Sequence, residues 1–163
     1  MTTLLFCLAA AAADPEQQAL ERKFAAAMTG ATLAGSFNIE GKNRPPAVDR
    51  YEISKASKLS GSKWEIVARM KWGKFDLKLP VPVEVKWAGD TAMIQVTDLS
   101  LLGVPGKFRT RLLIDGDHYA GVWSHDAVTG LMWGKIERTK PDAKPASEAK
   151  PSAEAKPQPA TKN

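Results

Sequence analysis

Between Lys63 and Trp72 the chain alternates with a period of two. Trp64, Ile66, Ala68, Met70 and Trp72 fall on one side, and Glu65, Arg69 and Lys71 on the other, with Val67 the single exception. Successive side chains of a strand point to opposite faces, so this stretch predicts a strand with one buried and one wet face. The same period governs the chain from Ala31 onward. It predicts strands at Thr32–Ile39, Arg50–Leu59, Lys63–Trp72, Phe75–Leu79, Val83–Ala88, Ala92–Asp98, Lys107–Ile114, His118–Ser124 and Leu131–Arg138. Pro80 and Pro82 separate the fourth from the fifth, and proline has no N–H to give a ladder. One bent strand across them leaves about eight.

The connections set the topology. Ser60-Gly61-Ser62, Gly89-Asp90 and Asp115-Gly116-Asp117 have hairpin length, which makes successive strands antiparallel neighbours. The expected fold is all-β: a meander of about eight strands forming a small barrel or strongly curled sheet. Two longer connections are expected. Glu40–Asp49 reads as a loop around Pro45-Pro46. Leu101–Gly106 reads as an apolar loop, which suits either a plug over the mouth of the sheet or a lid.

The period shifts outside this region. In residues 14–29, Leu20, Phe24 and Ala27 or Met28 recur at helical spacing, with Asp14 as N-cap, Pro15 in the first turn and Gly30 as the stop. A short helix packed on one end of the sheet follows. Residues 1–13, MTTLLFCLAAAAA, carry an apolar run ending in small residues before Asp14, the pattern of a secretory signal peptide. The expected location is therefore secreted or periplasmic, and the run is too short to span a bilayer. Residues 30–139 form the β domain. From residue 140 the chain repeats AKP at Ala143, Ala149 and Ala155 with no apolar side chain larger than alanine, which predicts a disordered, solvated tail.

Composition narrows the chemistry. The net charge of +5 has no solid block of Lys or Arg behind it, and the lone Cys7 lies in the leader-like run, so neither a disulfide nor a thiolate metal site is expected. His118 and His125 are seven apart on one strand and should face opposite ways, which prevents a shared metal. No nucleophile elbow or phosphate-binding glycine loop is present, so no catalytic residues, no metal and no cofactor are assigned. Lys107, Arg109 and Arg111 alternate along one strand and, with Arg69 and Lys71 on a neighbouring one, would make a cationic patch. Without exposed stacking aromatics, nucleic acid is not an expected partner.

The tryptophans are the more specific signal. By parity Trp87 shares a face with Val83 and Val85, Trp123 with Tyr119, and Trp133 with Leu131. If the sheet closes, Trp64, Ile66, Ala68, Met70, Trp72, Trp87, Tyr119, Trp123 and Trp133 should converge on its interior, either as packing or as the wall of a pocket.

A helix-preceded meander of this size resembles the calycin-type barrels, the lipocalin and avidin group. Gly35-Ser36-Phe37 resembles the G-x-W that opens those barrels, with Phe in place of Trp, and Arg138 stands on the last strand where lipocalins place an arginine over that ring. The closing hairpin YAGVWSHDAVTGLMWGKIER is similar to small secreted bacterial proteins of unknown function. The resemblance implies a non-enzymatic binding module holding a small apolar or amphipathic ligand in the barrel. The alternative is a structural or interaction protein of the cell envelope with a filled barrel, its partner an envelope polymer. A hydrolase stands third.

Overall fold

The structure, a computed structural model, describes residues 14–72, 75–101 and 103–138, without the side chains of Trp72 and Phe75. The expectations for residues 1–13 and 140–163 lie outside the described residues. The chain forms α1 (Pro15–Met28), β1 (Ala31–Phe37), β2 (Ala47–Ser60), β3 (Lys63–Trp72), β4 (Phe75–Ala88), β5 (Thr91–Leu101), β6 (Val104–Asp115), β7 (His118–His125) and β8 (Val128–Arg138). Each strand pairs antiparallel with its neighbour in sequence, and β1 also pairs with β8. The meander is therefore a closed eight-stranded barrel. Closure leaves no sheet edge at the first and last strands, where a curled sheet would have exposed two.

The opening stretch behaves as its parity requires. Trp64, Ile66 and Ala68 are buried on the inner face of β3, while Arg69 and Lys71 are exposed. The proline region is one strand. Pro80 and Pro82 face outward on β4 and pair in register with Val67 and Glu65 of β3. On the other side, β4 pairs with β5 only from Glu84↔Gln95 to Ala88↔Thr91, so both prolines sit where no partner strand asks for an N–H.

Leu101–Gly106 is not a six-residue loop. β5 runs to Leu101 and β6 starts at Val104, so the apolar residues there belong to a tight hairpin at the barrel mouth. Likewise β2 begins at Ala47, placing Asp49 inside the barrel wall rather than in the Glu40–Asp49 loop. Register shifts interrupt β2–β3 near Ser54 and Lys58, and β5–β6 between Val96 and Leu101. Bulges of this kind bend strands and tighten the coil needed for a small barrel.

Helix α1 closes one end. Asp14 Oδ1 accepts from the Glu16 N–H at 3.0 Å, and the Thr29 N–H returns to the Ala25 carbonyl at the C-terminus. Phe24 and Met28 are buried on its inner stripe. The Phe24 ring meets Trp64 edge-on at 5.1 Å and Trp87 at 6.0 Å. These three rings and Met28 make the floor.

Candidate functional site

Above that floor the barrel is hollow. A cavity of about 360 Å³ runs up the interior, walled by inward-facing side chains of the strands. Ile66, Ala68 and Met70 of β3 line it on one side, and Phe37 of β1 and Trp123 of β7 on another. Leu101, Val104, Phe108, Lys71 and His125 surround its upper part, at the end away from α1. Among the described residues the wall is apolar over most of its length. The volume matches the low end of known small-molecule sites. It holds about twelve non-hydrogen atoms at roughly 30 Å³ each, water's share of liquid volume.

The residues of the predicted interior set have different places in the structure. Ile66, Ala68, Met70 and Trp123 line the cavity. Trp64 and Trp87 point inward but belong to the floor with Phe24, so they close the cavity rather than fill it. Tyr119 is buried at 2% exposure beside the cavity, held by a polar contact described below. Trp72 has no described side chain. Trp133 is a correction: it shares a face with Leu131 as expected, but that face is the outer one, and both side chains are exposed. The inward positions of β8 are Gly130, Met132, Gly134 and Ile136. Two glycines on that face hid its hydrophobic signal, and the aromatic residue on the opposite face drew the assignment.

The glycines serve a purpose. Asp49 of β2, Gly35 of β1, Gly134 of β8 and Tyr119 of β7 occupy one row of the ladder across four neighbouring strands. The Tyr119 ring lies across the two glycines. A Cβ added at Gly134 would stand 2.8 Å from Tyr119 Cε1 and 2.6 Å from Gly35 Cα, and one at Gly35 would strike the Tyr119 hydroxyl. Only side chains without a Cβ leave room for that crossing. At its far end the Tyr119 hydroxyl donates to Asp49 Oδ1 at 3.2 Å.

Asp49 is 6% exposed and lines the cavity. Its Oδ2 has no hydrogen-bond partner. Burial pushes its carboxyl above the ordinary carboxylate value, against the pull of Tyr119 and of the nearby Tyr51 hydroxyl. Burial, reinforced by the Asp49 charge, also raises Tyr51 and Tyr119, so both hydroxyls keep their protons. It is the one carboxylate among the described cavity-lining residues. Nothing in the hydrophobic pattern marks it, because an acid at an inward position reads as a break in a strand.

The mouth has its own arrangement. Trp123 Nε1 donates to the Asn38 carbonyl at 3.2 Å, and the ring packs edge-on against Phe37 at 5.4 Å. His125 stacks on Phe108 at 4.1 Å, and its Nε2 donates to the Pro105 carbonyl. His118 lies on the outside beside Asp117, so the two histidines face opposite ways. Arg138 does not cover Phe37: it pairs with Ala31 at the α1 end, whereas Phe37 pairs with Met132 at the mouth.

The outer surface carries a second, more polar cleft of about 620 Å³ between Arg50, Glu52, Arg69 and Asp76. Several of its charges are paired. Arg69 grips Asp76 through two contacts of 2.6 and 2.5 Å, which holds the Asp76 carboxyl below its ordinary value, and Arg50 bridges Glu137 at 3.2 Å. The expected cationic patch does not form. Arg69 and Lys71 lie on β3, separated from β6 by β4 and β5, and Arg111 of β6 turns to the Val96 carbonyl and Thr97 hydroxyl at the β5 bulge. Among the described residues no helix is long and apolar enough to cross a membrane, and no cluster of His, Cys, Asp and Glu could hold a metal. No family model, curated protein or solved structure matches this chain.

Proposed function

We propose that the protein is a non-enzymatic binding module that carries a small amphipathic molecule inside its barrel. The observation behind this reading is the cavity of about 360 Å³, apolar along its wall and stoppered at one end by Phe24, Trp64, Trp87 and Met28. A filled barrel would have spent those tryptophans on its centre. Here they sit at the floor, and the middle of β3 presents the small Ala68 to open space. Empty apolar volume of this size costs stability, at about 24 cal/mol for each Å³ left unfilled, so occupancy by a ligand would recover stability. The calycin-like architecture agrees with the reading, as does the leader-like run at residues 1–13, which favours work outside the cytoplasm.

The test is tryptophan fluorescence of the whole protein titrated with a panel of amphipathic molecules of about twelve non-hydrogen atoms. Trp123 stands in the cavity wall and should respond. Saturable change that disappears in Trp123→Phe, together with a ligand-dependent rise in Tm, is the expected result. A panel that neither shifts the emission nor raises Tm removes the reading and returns the barrel to a structural role.

A further inference from the structure

Among the described residues two buried side-chain polar atoms have no hydrogen-bond partner, Trp64 Nε1 in the floor and Asp49 Oδ2, and of these two residues only Asp49 lines the cavity. Its Oδ1 is taken by the Tyr119 hydroxyl, with the Tyr51 hydroxyl also near the carboxyl. A buried carboxylate with an empty acceptor site is costly unless a donor meets it. The row that holds it is specific: a tyrosine laid over two glycines braces one oxygen and leaves the other without a partner in a residue that lines the cavity. A carboxylate oxygen only accepts, so the missing group must donate.

We propose that Asp49 anchors the head of the ligand, and that the head is an ammonium or other N–H donor on an apolar body. The inference rests on the barrel being a carrier and adds the chemistry of what it carries. The wall around Asp49 supplies the complement. Ile53, Ile66, Val81 and Met132 are buried among the cavity-lining residues and suit an alkyl chain, not a second charge. The titratable groups that meet the carboxyl are Tyr51 on β2 and Tyr119 on β7, both held protonated, and neither is a cation. The other titratable groups along the described wall, Lys71 and His125, are at the mouth. A carboxylate ligand would therefore place its charge against Asp49 or leave its head at the mouth.

The experiment compares three probes of one chain length, decylamine, 1-decanol and decanoate, by calorimetry on the full chain at neutral pH. Decylamine should bind about tenfold or more tighter than 1-decanol, the scale of a hydrogen bond to a charged group, and decanoate should bind more weakly than either. Decyltrimethylammonium, charged but with no N–H, should lose most of the advantage. Asp49→Asn keeps an acceptor for Tyr119 but removes the charge, and should reduce the affinity for decylamine far more than that for 1-decanol. Equal affinities for amine and alcohol overturn the Asp49 inference and leave the carrier reading standing. Tightest binding by decanoate overturns it too, and binding by none of the probes overturns both. The wild-type comparison decides the matter even if the variant fails to fold.

Discussion

Ala68 is the place to test whether the barrel is hollow, because the answer there has opposite signs for the two cases. Ala68 is 5% exposed, lines the cavity, and lies in register between Ile53 on β2 and Leu79 on β4. Ala68→Ile adds three carbons on the inner face. If they enter open space, each is worth about 0.8 kcal/mol on burial, or about 2.4 kcal/mol together. Freezing the isoleucine rotamers costs about 0.5–1 kcal/mol, which leaves a gain of about 1.5 kcal/mol. A β-branched residue also suits a strand, so the backbone has no objection. In a solid core the same insertion costs about 1–3 kcal/mol through displaced side chains. Urea unfolding separates the outcomes. With a slope of about 2 kcal/mol/M, the midpoint should rise by about 0.75 M at unchanged slope, and Tm by about 6 °C. The added carbons also take about a quarter of the space for a ligand of about twelve atoms, so the affinity for decylamine or 1-decanol should fall several-fold. A lowered midpoint with ligand affinity intact would refute the hollow barrel.

Two further outcomes follow from the Asp49 row. Gly134→Ala should destabilise the fold by about 2–4 kcal/mol, because the new Cβ meets the Ala34 carbonyl, Gly35 Cα and the Tyr119 ring, and only the ring could move; a urea midpoint within error of wild type would refute the tight crossing. Asp49→Asn should change the pH profile of stability. The folded-state pKa of Asp49 is raised, so its proton favours the folded state, and that contribution is full below the ordinary carboxylate value and lost as pH rises through the raised one. The variant carries no such loss, so its midpoint relative to wild type should climb as pH rises above the ordinary carboxylate value. A difference that stays flat across that range would show that the carboxyl is not strained by burial.

The meander was legible because its signals are local. Alternation in KWEIVARMKW and the two-residue turns at Gly61, Gly89 and Gly116 each act over a few residues, and eight such pieces in sequence order have few ways to close. Three strand starts were read late for a physical reason. Asp49, Gly106 and Gly130 occupy inward positions on β2, β6 and β8 with neither bulk nor hydrophobicity, so the pattern seemed to begin after the strand did. Trp133 shows the converse. A bulky aromatic residue carries weight in any pattern, but its direction was set by the strand's register against Ser36 and Ala120, and that register turned it outward.

The candidate anchor was hidden at a deeper level. Asp49, Gly35, Gly134 and Tyr119 are spread over the chain, and each alone has an ordinary meaning: an acid beside a proline loop, two glycines in strands, a tyrosine after a turn. They become one device only when four strands lie side by side in a particular register and the closing β1–β8 pair supplies the middle of the row. A shift of one residue in that pair would turn Gly35 against a side chain and send the Tyr119 ring into a Cβ. Barrel closure and the buried carboxylate are thus coupled. The glycines that weaken β1 and β8 as strands are what allow the tyrosine to hold one oxygen of Asp49 while the other stays buried without a partner.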